Sequence, residues 1–110
     1  MSPYHFEFGS EEWLLFLRGR PTLRRAAEVG ELEEELEPGD TICFPPGPSG
    51  AHKVTNGGDE AVRILMLSTM PEVDISYYPD SEKYGVWPGN GQPGFLVRCE
   101  SEVDYYDGER

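Results

Sequence analysis

Two histidines, His5 and His52, are the only imidazoles in the chain, and each stands where its side chain could serve as a ligand. His5 opens the run His5-Phe6-Glu7-Phe8, and alternation along a strand puts His5 and Glu7 on one face, with Phe6 and Phe8 on the other. Glu12 heads the next apolar run after a Gly9-Ser10 turn, and His52 follows a Pro48-Ser49-Gly50 turn at the head of a third. Inside a small barrel, two imidazoles and two carboxylates could converge on one point. Imidazole and carboxylate together suit divalent Fe, Mn, Ni or Zn. A carboxylate of the pair Glu7 and Glu12 that is not coordinated could move a proton. The competing reading has His5 and His52 as hydrogen-bonded barrel residues without metal, and Glu7 as the partner of a nearby arginine. An inward carboxylate with neither metal nor base would be costly, so Glu7 is taken as a ligand with His5, Glu12 and His52. Glu11 then faces outward.

The elements that must carry these groups are short. Thirteen glycines and ten prolines divide the chain into pieces. Strand-like runs cover Glu12 to Arg18, Thr22 to Arg25, Thr41 to Phe44, Ala51 to Asn56, Ala61 to Ser68 and Val73 to Tyr78. Runs of this kind, spaced by about 8–12 residues with turn chemistry between them, predict an all-β sandwich or barrel. Residues 25–37 are rich in Ala, Glu and Leu and have helix propensity. Gly30 and the following Pro38-Gly39 favour a hairpin there instead. Residues 79–94 are dense in Gly and Pro and read as a long loop leading to a last extended piece, Phe95 to Cys99.

Composition narrows the class of partner. Nine basic against twenty-one acidic side chains give a net charge of −12, a field that repels phosphate backbones and anionic membrane surfaces. Neither nucleic acid nor membrane is therefore expected as a partner. With 110 residues, a single domain is expected over 1–110, with a barrel core at about 4–78 and a loop-rich extension at about 79–110. No basic-then-apolar leader is visible, and Cys43 and Cys99 have no metal-knuckle spacing, so a cytoplasmic protein with reduced thiols is expected.

Two stretches resemble the paired motifs of the cupin superfamily. Gly39, Ile42, Phe44, Pro48, Gly50, His52 and Asn56 fill the second motif in order, with Pro45-Pro46-Gly47 as an insert. The first motif reads His5-Phe6-Glu7, four residues, Glu12, then Trp13 to Gly19, with Glu7 where a second histidine usually stands. The resemblance covers roughly residues 4–78 and implies a cupin-type jelly-roll β-barrel. It further implies that His52 points into the barrel opposite the first-motif ligands and that Asn56 closes its strand into a hairpin turn. Few residues precede His5, so the barrel resembles one that starts late, either trimmed or borrowing a strand from a partner. An unpaired sheet edge of that kind predicts a homodimer, joined through the Trp13-Leu15-Leu17 face or the Tyr77-Tyr78 region.

Two functions follow. One is a divalent-metal cupin acting on or binding a small oxygenated organic molecule, with dioxygenase-like or isomerase-like chemistry. The other is a metal-free cupin that binds a sugar or organic acid without turnover. Whether the chain is an enzyme stays open at this level, because one barrel hosts many functions.

Overall fold

The computed structural model describes residues 2–110. The run Glu12–Arg18 forms the longest strand, β2, after the two-residue β1 (Phe6–Glu7). Alternation sends Leu14 and Phe16 inward, where both are buried, and leaves Trp13 and Leu17 about half exposed on the outer face. Gly19 ends the run with φ +88°, and a Cβ there would lie 2.9 Å from the Ala61 carbonyl oxygen. β3 (Thr22–Ala26) and β4 (Glu31–Glu35) then pair antiparallel, so residues 25–37 form a hairpin. Its turn is closed by Gly30 at φ +71°, and cross-strand pairs Arg24–Glu31 and Arg25–Glu34 run along it. Helix propensity loses here because the glycine breaks the run and the antiparallel pairing with β3 brings the stretch to the core, where Leu36 is buried.

β5 (Thr41–Phe44), β6 (His52–Thr55), β7 (Arg63–Ser68) and β8 (Asp74–Tyr78) follow, then β9 (Lys83–Trp87) and β10 (Phe95–Arg98). Three antiparallel sheets result, in the orders β5-β2-β7, β4-β3-β6 and β1-β8-β9-β10. The first two face each other across a core of Leu14, Phe16, Leu23, Leu36, Phe44 and Val54. Tyr4, Phe6 and Ala51 form a second apolar cluster beside β1. Phe16 has no exposed surface, and Phe16→Ala is expected to cost about 3–5 kcal/mol of stability, read by urea denaturation.

Among the described residues one isolated β-bridge, His5 against His52 with His52 N–H donating to the His5 carbonyl at 3.0 Å, links the third sheet's side to the others, and Gly47 N–H adds a bond to the Glu7 carbonyl at 2.7 Å. The radius of gyration is 16.3 Å, well above the roughly 13 Å of a compact domain of this length. The extension differs from the sequence reading: the stretch 79–94 is not all loop, because Lys83–Trp87 pairs with both β8 and β10. Asn56 differs too. It caps its turn, with Nδ2 donating to the Glu60 carbonyl and Oδ1 accepting from Gly58 N–H, but the turn carries the chain from β6 to β7 in a different sheet. The flanking strands therefore do not make a hairpin.

Candidate metal centre

The site is built where the three sheets meet. Asp74 of β8 ties down the turn between β1 and β2: its Oδ1 accepts from Gly9 N–H at 2.8 Å and its Oδ2 from the Ser10 hydroxyl. That clamp sets β1, with Glu7 and with His5 just before it, against the start of β2, with Glu12. Gly50 does the same for β6. A Cβ at Gly50 would lie 1.9 Å from the Pro45 carbonyl oxygen, so only glycine lets the chain fold this tightly ahead of His52.

Both imidazoles are fixed in the same way. His5 Nδ1 lies 2.8 Å from the Pro3 carbonyl, and His52 Nδ1 lies 2.7 Å from the Gly50 carbonyl. A carbonyl oxygen only accepts, so each Nδ1 carries a proton, and the neutral form of each ring presents a bare Nε2 inward. Packing holds the rings further: His52 stacks on Phe44 with centroids 3.7 Å apart, and His5 stacks on Tyr78 at 5.8 Å.

Those nitrogens face carboxylates. His5 Nε2 is 3.1 Å from Glu7 Oε1, and His52 Nε2 is 3.2 Å from Glu12 Oε2. Ligand atoms of His5, Glu12 and His52 all lie within 4.8 Å of one another. Glu7 sits beside this trio against His5 and Glu12, outside the mutually close set. Its partner is an imidazole rather than an arginine. The contact with His52 holds the Glu12 carboxyl below the usual carboxylate range, against burial, which would raise it. Burial alone would lower the His5 value. The contacts to Glu7 and the Pro3 carbonyl, with the charges of Glu7 and Glu12, outweigh burial and raise it above the ordinary imidazole range.

One atom decides whether this group fits a metal. Glu12 Oε2 is buried and has no hydrogen-bond partner, because its neighbour at 3.2 Å, His52 Nε2, carries no proton to donate in the neutral ring. A buried carboxylate oxygen left without a donor is costly. A divalent ion would satisfy it together with the two bare Nε2 atoms, and the 3.2 Å separation of His52 Nε2 from Glu12 Oε2 suits neighbouring ligands whose bonds to one ion are about 2.1 Å. The donor set and its geometry fit.

His5, Glu12 and His52 thus come together as expected from their strands, and Glu11 lies outside, accepting from the Trp13 indole at 2.7 Å. His52 stands beside His5, with ring centroids 5.1 Å apart, and Glu12 comes from the neighbouring sheet. The site forms the floor of a cavity of about 400 Å³, within the range of small-molecule pockets. Its wall includes Met66, Ser76, Tyr78 and Trp87, none singled out as site residues from sequence. Tyr78 was expected at packing or interface positions, and the β-forming run Tyr84-Gly85-Val86-Trp87 was the one signal for Trp87.

An all-β barrel with a His-Glu-His group lining its cavity defines a class, small barrels that hold a metal or ligand inside. Residues 1–68 match the cupin domain family, and the chain belongs to that family. No curated protein matches the chain. Among solved structures it is similar to a putative sugar phosphate isomerase from Acidithiobacillus ferrooxidans (26% identity, TM-score 0.75), covering 92% of this chain and 60% of that one. It is also similar to a sugar phosphate isomerase of the cupin superfamily from Silicibacter pomeroyi (22% identity, TM-score 0.79), covering 96% and 64%. The chain therefore spans less than two thirds of the length of either protein. The fold is the cupin-type jelly-roll barrel. Among the described residues no helix is long and apolar enough to cross a membrane, and both cysteines are free thiols.

Proposed function

We propose that the chain is a divalent-metal cupin whose cavity takes a sugar or sugar phosphate and interconverts its carbonyl and hydroxyl carbons. The observation that carries this reading is the orphaned Glu12 Oε2 facing two imidazoles whose Nδ1 atoms are already committed to backbone carbonyls. The likeness to a putative sugar phosphate isomerase supports isomerase-type chemistry over dioxygenase-type chemistry. His5, Glu12 and His52 would hold the ion, with Fe, Mn, Ni and Zn all compatible with the donor set. Bound there, an ion supplies Lewis-acid polarisation of a substrate carbonyl.

Glu7 does the rest. Its carboxylate lines the cavity outside the close trio, and it is the group placed to take a proton from the carbon beside that carbonyl. Returning the proton to the former carbonyl carbon, while the hydroxyl proton passes to the other oxygen, completes an aldose–ketose exchange. The redox change is internal, so no external oxidant is needed. His5 positions Glu7 through the 3.1 Å contact. The test is solvent exchange: metal-loaded protein in D2O with a panel of aldoses, ketoses and their phosphates, followed by NMR. Deuterium entering the carbon beside the carbonyl supports the reading. Oxygen uptake without exchange would favour the dioxygenase reading, and neither would leave a binding protein.

The metal-free reading has one observation in its favour, since protonated His5 would satisfy Glu7 without an ion. Metal content of the purified protein separates the two.

We further propose that the chain works as a homodimer. The outer face of β5-β2-β7 carries Trp13, Leu17, Leu65 and Leu67, each roughly half exposed and adjacent through the register Trp13↔Leu67 and Leu15↔Leu65. An apolar sheet face of this kind marks an interaction site. A second copy is the occupant favoured, because β7 is also an unpaired edge of that sheet. Leu65→Glu with Leu67→Glu is expected to convert a dimeric mass to a monomeric one in sedimentation at micromolar protein. A monomeric wild type contradicts the proposal.

A further inference from the structure

The cavity that holds the metal group is also lined by one side chain, Trp87, whose placement neither the apolar clusters nor metal binding explains. Trp87 is 38% exposed and belongs to neither apolar cluster, yet its indole is held on three sides. Its Nε1–H donates to the hydroxyl of Ser76, a buried residue, at 2.7 Å. At Gly85, which pairs with Ser76, a Cβ would come within 2.9 Å of the indole Cζ2. At Gly94 a Cβ would lie 2.1 Å from Cε3 and 2.5 Å from Cζ3. Two glycines thus let the ring lie flat on the backbone, and a buried serine fixes its rotation.

A ring fixed this way, with its only donor already used, has one thing to offer a ligand: its apolar π-face. The same cavity is also lined by the imidazoles and carboxylates of His5, Glu7, Glu12 and His52. A molecule suited to both kinds of surface has an apolar C–H face and a set of hydroxyls, which describes a sugar ring. Charge narrows the class. Lys53 is the one cation among the described lining residues, and strand alternation turns its side chain away from His52, towards Arg24 on the outer face. With a divalent ion bound, its two charges only offset those of Glu7 and Glu12, so the lining offers a phosphate no net positive charge.

We infer that Trp87 is the stacking platform of this cavity and that the ring it receives is an uncharged monosaccharide. The inference rests on the reading of the cavity as a sugar site, and it narrows that reading to the unphosphorylated form.

The chain has two tryptophans, so Trp13→Phe leaves Trp87 as the sole emitter. Zn-loaded Trp13→Phe protein titrated with D-ribose, D-glucose and their phosphates is expected to show a saturable change in emission with the free sugars. In calorimetry, Trp87→Ala should weaken sugar binding about 5- to 10-fold, the loss of one stacking contact. Trp87→Phe should lose less. Gly94→Ala should weaken binding by displacing the indole. Zn content should be unchanged in all three variants. If wild type binds sugar and Trp87→Ala binds it equally well, the platform is overturned while the sugar site stands. Tighter binding of the phosphates than of the free sugars overturns the charge argument. If loaded wild type binds none of the probes, the sugar reading fails and the platform with it.

Discussion

Glu12→Gln is expected to remove most of the metal from the protein while leaving the barrel folded. The substitution keeps the shape of the side chain and deletes the charge on the one carboxylate of the close trio. The buried Oε2 that now lacks a well-formed hydrogen bond would become a neutral amide atom, a far weaker donor to a divalent ion. Loss of a direct ligand should cost at least the roughly 10–100-fold in affinity that loss of an outer partner costs. His52→Gln should match it, because the His52 Nε2 completes the same set. Zn and Mn titrations beside wild type measure the effect, with far-ultraviolet circular dichroism as the check on folding. Wild-type affinity in both variants would remove the site.

Glu7→Gln is expected to do the opposite, sparing the metal and removing turnover. Glu7 lies 3.1 Å from His5 Nε2 but outside the mutually close trio, so its charge is less needed for the ion. As the proton carrier of the proposed exchange, its loss should cost about 10²- to 10⁴-fold in rate. Deuterium incorporation measured on equally metal-loaded wild type and variant reads this directly. A Glu7→Gln protein that loses its metal would instead make Glu7 a fourth ligand, and Glu7→His would then restore binding with a preference for borderline metals such as Ni, Cu or Zn.

The site was legible in the sequence because its parts obey local rules. His5 and Glu7 share a face by strand alternation, Glu12 follows a two-residue turn, and Gly50 precedes His52 for a steric reason that one residue type satisfies. The hairpin at residues 25–37 was legible through Gly30 despite helix-favouring composition. What escaped depends on long-range contacts. Asn56 caps a turn as expected, but which sheet β7 joins is decided by its register against β2, which no local signal carries. Residues 79–94 looked like loop because Gly85, Gly89, Gly91 and Gly94 are turn formers by habit. Gly85 and Gly94 serve a different purpose, making room for the Trp87 indole, and that becomes visible only once β9 lies between β8 and β10. Ser76 and Tyr78 are invisible as cavity residues for the same reason: β8 meets the site through its pairing with β1.

The central claim is that one divalent ion sits between His5, Glu12 and His52. Anomalous diffraction from crystals of Mn-loaded protein tests it most directly. A single strong anomalous peak per chain, bonded to the Nε2 atoms of His5 and His52 and to Glu12 Oε2, is the predicted result. Mn-loaded crystals with no peak at that position, or with the ion held elsewhere on the acidic surface, would contradict it.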